Sequence, residues 1–265
     1  MIIPCTPADE ERLFSYIGDD YPACLYLYLD LKQYGLRSDR IEAYRQQDGE
    51  RITAILLKYY SCLHVYSADQ SFDAGELAAF FAEKGCAMLY CRSETAQKLR
   101  NAFPLPLQKR AVITDGWVAR IRRVDREAQG LAVAAAEEDF DQIVRLIYED
   151  EEIGRSYRYA ELAEQLRERS REGFSRSLVI KNGDLVIAHA CTNAERDRLA
   201  VVAELLVRKA YRRRGYASEI WRELCGRLLS EGKEVYSFYY SAESRALHRR
   251  IGFEEICLWT KIVIR

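Results

Sequence analysis

The apolar residues of this chain follow two patterns, continuous runs of strand length and recurrence at helical spacing. The positions of these patterns predict the strands and helices. Residues 199–207 are an apolar run of strand length that is rich in β-branched side chains. Further on, apolar residues recur at helical spacing at positions 220, 221, 224, 228 and 229. Arg212-Arg213-Arg214-Gly215-Tyr216-Ala217 lies between the two segments. The pattern therefore predicts a strand, a glycine-containing turn and a helix.

The same reasoning predicts the elements of the first half of the chain. Thr6 and Pro7 indicate the start of a first helix. Pro104 and Pro106 are expected to interrupt regular structure. The predicted helices cover about 6–16, 22–34, 73–84 and 93–103, the last with Ser93 as its N-cap, and the predicted strands cover about 41–47, 52–60, 62–67, 87–91, 108–113 and 116–123.

The second half repeats this order after a polar segment, 124–130, that is typical of a linker. The predicted strands are 131–136, 177–181, 184–192, 199–207, 235–240 and 253–264, and the predicted helices are 138–149, 158–171, one that closes at Gly232 and one that ends at Arg250. We therefore expect two α/β domains, 1–125 and 126–265, each with a mixed sheet flanked by helices.

The turn at 212–217 has the chemistry of an anion site. The first N–H groups of a helix lack partners within it, and the helix dipole adds roughly half a positive charge there. Gly215 allows an anion to approach the backbone, and Ala217 keeps that approach open. Five basic residues surround the turn: Arg208, Lys209, Arg212, Arg213 and Arg214. We expect a pyrophosphate here, and the alternative is a basic surface turn that caps an ordinary helix.

A second motif follows at 235–253. Val235–Tyr240 is typical of a buried strand, and Ser241–Phe253 contains a short helix that ends at Gly252. In this order and spacing, the two motifs resemble those of the GNAT superfamily of acyl-CoA-dependent N-acyltransferases, and the resemblance covers about 131–265. It implies acetyl-CoA as cosubstrate, with the pyrophosphate on the 212–217 loop. The implied cofactor-binding residues are Leu205, Leu206, Val207, Arg212, Arg213, Arg214, Gly215, Tyr216, Ala217, Ser218, Ser241 and Ser244.

The first half has a similar element order but no equivalent of the anion loop. The interval between the hairpin glycine and the helix-closing glycine is shorter there, from Gly49 to Gly85 against Gly183 to Gly232. The missing residues fall where the cofactor strand and loop would lie. We expect a degenerate GNAT-like domain that binds no CoA, and an unrelated α+β domain is the alternative.

The resemblance also implies how the reaction proceeds. In this family the strand before the loop splays from its neighbour, so that backbone groups, here at 205–207, bind pantetheine, and an N–H there can hold the developing oxyanion. His248 stands where the family usually has a tyrosine that protonates the leaving thiolate. It is either an imidazole donor or a packed helix histidine bonded to a carbonyl. Ser241 stands at the family's asparagine position, where capping of the helix is the expected role.

Three groups of residues are candidates for the base that deprotonates the amine. Glu204 is a carboxylate within the apolar cofactor strand, and it either faces a cleft or pairs with an arginine. His189 lies in the adjoining strand and is either a base or a core residue. Tyr239 and Tyr240 end a strand near the expected thioester, with aromatic packing as the alternative. The acidic run Glu149, Asp150, Glu151 and Glu152 either attracts a cationic substrate or forms a solvated helix end.

Composition narrows the class of protein. The chain carries 40 basic and 41 acidic residues, which argues against a dedicated nucleic-acid binder. No apolar run is long enough to span a membrane, and no signal peptide is recognised, so we expect a cytoplasmic protein. The eight cysteines show no C-x-x-C pair and the three histidines are dispersed, so we expect reduced core cysteines and no metal site.

Together, the residue patterns and the family resemblance predict an acetyl-CoA-dependent N-acetyltransferase that acts on the primary amine of a small molecule by direct attack. No cysteine or serine has the sequence surroundings of a nucleophile. A non-catalytic acyl-CoA sensor is the main alternative, and a transferase directed at a protein or at tRNA is another. The oligomeric state stays open, with a homodimer as one option.

Overall fold

Two compact units make up the chain. The computed structural model describes residues 1–151, 153–154 and 158–265. The first unit contains Met1–Val118 and Cys257–Arg265, and the second contains Ala119–Ile256. Both are mixed α/β structures, which confirms the predicted fold class.

Most helices and strands follow the order that the sequence pattern predicted, and the short strand Ile2–Pro4 was not predicted. The elements up to the middle of the chain are β1 (Ile2–Pro4), α1 (Glu10–Ile17), α2 (Leu25–Tyr34), β2 (Ile41–Asp48), β3 (Arg51–Tyr59), β4 (Cys62–Tyr66), α3 (Ala74–Glu83), β5 (Met88–Arg92), α4 (Ser93–Ala102), α5 (Leu105–Arg110) and β6 (Ala111–Ile121). The remainder are β7 (Val133–Ala134), α6 (Phe140–Tyr148), α7 (Tyr159–Arg171), β8 (Ser177–Asn182), β9 (Leu185–Arg196), β10 (Leu199–Val207), α8 (Tyr216–Ser230), β11 (Glu234–Tyr239), α9 (Ala242–Ile251) and β12 (Phe253–Ile264).

Three details around α4 and α5 differ from the predictions. Residues 105–110 form a helix, so the strand predicted at 108–113 is wrong in its first half, and one continuous strand, β6, replaces the two predicted strands. The first helical turn does not use the N–H that proline lacks, so Pro106 fits as the second residue of this helix instead of interrupting it. Ser93, the predicted N-cap, is instead the first residue of α4. The N-cap is Arg92, which has an extended conformation.

In the first unit, strands are ordered β1-β2-β3-β4-β5-β12. Strands β4 and β5 are parallel, and β3 and β12 lie antiparallel to them. Helix α3 follows β4 and begins with its own cap, because the Asp73 carboxylate accepts the Glu76 N–H at 3.0 Å. Glu76 in turn accepts the Ile2 N–H at 2.6 Å. The first turn of α3 therefore carries acidic side chains, and its Glu76 N–H already has a hydrogen-bond partner.

In the second unit, strands are ordered β11-β10-β9-β8-β7. Helices α6 and α7 cover one face through an apolar cluster in which Ile143, Val179 and Val186 are fully buried. Helix α8 contributes the fully buried Trp221 and Leu224 and packs against β8 to β11. These packed elements position the end of β10 and the start of α8, where the sequence analysis predicted the cofactor-binding residues.

Candidate active site

Strand β10 separates from β11 halfway along its length. The parallel pairing of the two strands runs from Leu199 opposite Glu234 to Val202 opposite Ser237. On its other side, β10 stays paired with β9 as far as Val207 opposite Ala188. Between Ala203 and Leu206 the register with β9 shifts. The pairing with β11 therefore ends at Val202, as expected for the splay that the family resemblance implied.

The register shift is a bulge centred on Glu204, whose φ of +53° lies in the left-handed region. Few side chains other than glycine adopt this conformation, and such residues are often found at functional sites. Leu205, next in the chain, has no paired partner in the β9 register, whereas Leu206 lies opposite His189. The bulge thus leaves Leu205 unpaired in the splayed part of β10, and it places the Glu204 carboxylate beside Cys191 of β9.

The turn at 212–217, just before α8, has the backbone geometry of an anion-binding site. Gly215 is the N-cap residue with a φ of +88°, and Arg213 is also left-handed at +63°. A Cβ placed on Gly215 would meet no atom within 4 Å, so the space beside it is open. Helix α8 is 15 residues long, and the N–H groups of its first turn, at 216–218, have no partner within the helix. The turn can hold an anion by backbone amides and helix dipole.

Arginine side chains surround this turn in different ways. Arg212 donates from Nε to the Val207 carbonyl at 3.0 Å, which ties the turn to the end of β10. Arg214 lies over the ring of Tyr211, with 5.4 Å to its centroid. Arg250 of α9 donates to the Ser218 hydroxyl at 2.9 Å and so adds a cation beside the first turn of α8. Sequence reasoning missed Arg250, because nothing in its local pattern indicates this contact.

Glu204 is the buried acid of the site. Its exposed fraction is 8%, and its carboxylate accepts a hydrogen bond from Cys191 Sγ at 3.4 Å. Burial raises the pKa of Glu204 to about 7, and the Cys191 hydrogen bond and the nearby Arg169 offset part of this rise. Within the described ranges Arg169 acts on this carboxylate through its charge, so the choice between a cleft-facing acid and an arginine partner stays a prediction. A carboxyl group with this pKa can exchange a proton near neutral pH.

His189 faces the same interior region. It is fully buried, and burial lowers its pKa to about 4, so the ring is neutral at pH 7. Its Nε2 lies 3.2 Å from the Ser177 hydroxyl. The structure therefore places the two candidate bases, Glu204 and His189, side by side around the Cys191 thiol.

The contacts of His248 argue against its action as an imidazolium acid. Its Nδ1 lies 2.7 Å from the Ser244 carbonyl, which can only accept, so Nδ1 carries the proton and donates there. Nε2 then accepts from the Ser237 hydroxyl at 2.9 Å. Burial lowers the pKa of His248 to about 4. Both ring nitrogens are engaged inside the unit and the ring is neutral, which favours the alternative interpretation of a packed helix histidine.

Tyr239 also packs inside the unit. Its ring lies 4.4 Å from that of His248, and its hydroxyl donates to Glu255 at 3.1 Å. Burial and the adjacent Glu255 carboxylate raise the pKa of Tyr239 above its usual range. A phenol in this state stays protonated at neutral pH, which favours the alternative of aromatic packing over a role as base. Tyr240 follows β11 and is half-buried.

Ser241 caps α9, because its hydroxyl accepts the Ser244 N–H at 3.2 Å. Ser244 also lies beside the His248 ring.

Of the acidic run, Asp150 lies 3.6 Å from a guanidinium nitrogen of Arg212 and accepts the Ile153 N–H at 3.1 Å. The segment after α6 therefore reaches the anion turn. Glu152 of that run lies outside the described residues.

Comparisons with known proteins agree with this geometry. Residues 138–253 match the model of the acetyltransferase (GNAT) family. Among solved structures, a Drosophila protein superposes with a TM-score of 0.68 at 12% identity and covers 100% of this chain and 98% of its own. A GCN5-related N-acetyltransferase from Sphaerobacter thermophilus gives 0.62 at 16% identity, with 99% and 94% covered.

A tandem GNAT protein from the clavulanic acid biosynthesis pathway gives a TM-score of 0.60 at 12% identity, with 99% of this chain and 97% of that chain covered. At these identities the likeness concerns the fold. No curated protein matches the sequence. In the part of the chain that the structure describes, no helix has the length and apolar character to cross a membrane.

Proposed function

We propose, from the GNAT acetyltransferase domain that residues 138–253 form, that the second unit moves an acetyl group from acetyl-CoA to the primary amine of a small molecule. One observation carries the proposal. The splay of β10 from β11 leads directly into a glycine turn at the start of a long helix. Pyrophosphate on the turn and pantetheine along the splayed strand would bring the thioester to the bulge at 203–206.

The bulge supplies the groups that acyl transfer needs. A backbone N–H of Leu205 or Leu206 would hold the thioester oxygen as it becomes an oxyanion, which is often the largest single catalytic effect. Leu205 is the stronger candidate, because it stands outside the β9 pairing register. Arg212, Arg213 and Arg214 would add positive charge around the pyrophosphate, while Tyr216, Ala217 and Ser218 would offer amide groups.

Glu204 is the base in this proposal. A primary ammonium with a pKa near 10 must lose a proton before it can attack, which costs roughly 4 kcal/mol at pH 7 if nothing accepts that proton. Glu204 combines a pKa near 7 with a position at the bulge, so its ionised form can accept the proton. His189 remains neutral but is fully enclosed, which makes it the weaker candidate.

The protons of the reaction can be accounted for without a role for His248. Glu204 accepts one proton from the ammonium, and the neutral nitrogen attacks the thioester carbon. The tetrahedral intermediate collapses with cleavage of the C–S bond, and the new amide nitrogen loses its second proton. That second proton passes through water to the thiolate, and Glu204 gives its own proton to solvent, so that one proton is released for each acetyl group transferred.

A non-catalytic acyl-CoA sensor is the second candidate, and one observation favours it. At the position where the family carries its tyrosine acid, His248 has both nitrogens in internal hydrogen bonds. A protein without this acid could bind the cofactor and signal its level. The anion turn would be intact in both cases, so CoA binding alone does not separate the two functions.

The test measures binding and turnover on the same protein. Calorimetric titration with CoA reports the cofactor site, and detection of free thiol across a panel of small amines, with a peptide amine included, reports transfer. The proposal expects turnover with at least one small amine, and a loss on the order of 10²-fold in Glu204→Gln with CoA affinity retained. Tight CoA binding with no turnover on any amine would favour the sensor, and turnover restricted to the peptide would favour a protein substrate.

A further inference from the structure

Three side chains with metal-binding chemistry meet beneath the β10 bulge. A ring nitrogen of His189, the Sγ of Cys191 and a carboxylate oxygen of Glu204 all lie within 4.8 Å of one another. His189 and Cys191 are fully buried, and Glu204 is 8% exposed. The two strands bring them together, because His189 and Cys191 point to the same face of β9 and the bulge in β10 turns Glu204 toward them.

The spacing of these donors suits a small divalent cation. With ligand bonds of about 2.3 Å to sulfur and 2.1 Å to oxygen, tetrahedral zinc holds those two atoms roughly 3.6 Å apart. Cys191 Sγ and the Glu204 oxygen are 3.4 Å apart. A metal would therefore require little movement of these two side chains.

The histidine has the arrangement typical of a metal ligand. Its Nε2 lies 3.2 Å from the Ser177 hydroxyl, while its Nδ1 is buried without a hydrogen bond of normal geometry among the residues described, and the nearby Glu204 backbone partly offsets the effect of burial on the pKa of the ring. Ligating histidines commonly donate their second ring N–H to a neighbouring oxygen, which fixes the ring orientation and leaves the other nitrogen for the metal. An unsatisfied buried nitrogen beside a thiol and a carboxylate is costly unless something binds it.

We infer that His189, Cys191 and Glu204 form a binding site for a thiophilic divalent cation of the zinc class. The donor set of one imidazole, one thiolate and one carboxylate suits zinc, whereas magnesium and calcium require oxygen ligands. Three protein ligands leave one coordination position for water. On binding, the Cys191 S–H bond breaks, its proton goes to solvent, and the thiolate bonds to the metal.

The test uses the full chain, reduced and freed of metal. Cobalt(II) replaces zinc as the probe, because a thiolate ligand gives a charge-transfer band in the near ultraviolet, and zinc affinity is read by competition with a chromophoric chelator. We expect one equivalent of metal and a band that Cys191→Ala removes. Cys225→Ala is the matched control, since Cys225 is also fully buried but stands in α8, and it should keep the band.

Two conservative variants keep the test decisive if Cys191→Ala does not fold. Ser177→Ala removes only the partner of His189 Nε2 and should weaken zinc binding about 10- to 100-fold. Glu204→Gln should weaken it as well, with its fold checked by circular dichroism. The site is refuted if wild type binds no metal, or if these variants bind zinc and cobalt as the wild type does.

One consequence rests on the proposed function as well. Glu204 cannot ligate a cation and accept a proton from the amine at the same time, so zinc should inhibit acetyl transfer in the wild type and much less in Cys191→Ala. If cobalt spectra show the site but zinc leaves turnover unchanged, the metal site stands and the role of Glu204 as base fails.

Discussion

At the scale of single residues, Glu204 should make the stability of the metal-free protein depend on pH. Burial raises its pKa to about 7 from 4.5, so the folded protein holds this proton more tightly than the unfolded chain does. The stability that comes from the protonated form is present below pH 4.5 and is lost as the pH rises through about 7. Glu204→Gln cannot ionise, so its free energy of unfolding should exceed that of wild type by about 3 kcal/mol at pH 8.

Urea unfolding at pH 4.5 and pH 8 measures this difference. At the lower pH the two proteins should be nearly equal, because the carboxyl is then protonated in the folded state and already half protonated in the unfolded chain. Parallel pH profiles of the two proteins would show that Glu204 is ionised without penalty in the folded state.

His248 should act in the opposite pH direction. Burial lowers its pKa to about 4 from 6.5, so the neutral ring stabilises the folded protein above pH 6.5, and this stability is lost as the pH falls through about 4. His248→Gln should be destabilised at pH 7, because it loses the bonds to Ser237 and Ser244. The deficit should shrink by about 2 to 3 kcal/mol near pH 4, as measured by chemical denaturation. A deficit independent of pH would contradict a neutral buried ring.

At the scale of elements, two glycines of the α8 region allow a matched comparison. Gly215→Ala forces a side chain into a φ of +88°, at a cost of roughly 1 to 2 kcal/mol, and its Cβ enters the open space of the anion turn. Gly226→Ala lies inside α8, where its Cβ also meets no atom within 4 Å. It should stabilise the protein by about 0.5 to 1 kcal/mol. Thermal unfolding checks both signs.

The same pair tests the cofactor site. CoA affinity should fall in Gly215→Ala and stay at the wild-type value in Gly226→Ala, as measured by calorimetry. Equal affinities in the two folded variants would mean that the pyrophosphate does not lie on this turn.

Most elements could be predicted from the sequence, because their signals are local. Apolar spacing and glycines gave β8 to β12 and α6 to α9 with small errors at the ends. The error at α5 has a local cause too, since Pro106 fits a helix start as well as a break. The splay of β10 came only from the family resemblance, because no local pattern distinguishes a strand that leaves its neighbour.

The candidate site was less predictable, since it depends on contacts between strands. The cluster of His189, Cys191 and Glu204 requires both the β9 register and a bulge, so a search for close cysteine and histidine spacing could not find it. The role of His248 stayed open at the sequence level for a related reason. Its sequence position gives no measure of how far burial lowers its pKa or of which groups its ring nitrogens contact.

At the scale of the whole molecule, we expect one CoA per chain. Helix α3 occupies in the first unit the place in the element order that α8 has in the second. Its start already holds the Asp73 carboxylate, with Glu76 in the first turn, so it would repel a pyrophosphate. Calorimetric titration of the full chain should give a stoichiometry of one, and Gly75→Ala in α3 should leave affinity unchanged. Two equivalents would refute the single site.

The pairing of β5 with β12 has a consequence for the order of folding. Met88 lies opposite Val263, so the first unit closes its sheet with a strand from far along the chain. During synthesis, residues 1–118 must wait for 257–265 to leave the ribosome, while 119–256 already contain all the strands from β7 to β11. Contacts of such large sequence separation form late. A nascent chain should therefore acquire protease resistance first in its second unit, and the exposed edge of β5 should be the surface that chaperones protect until then.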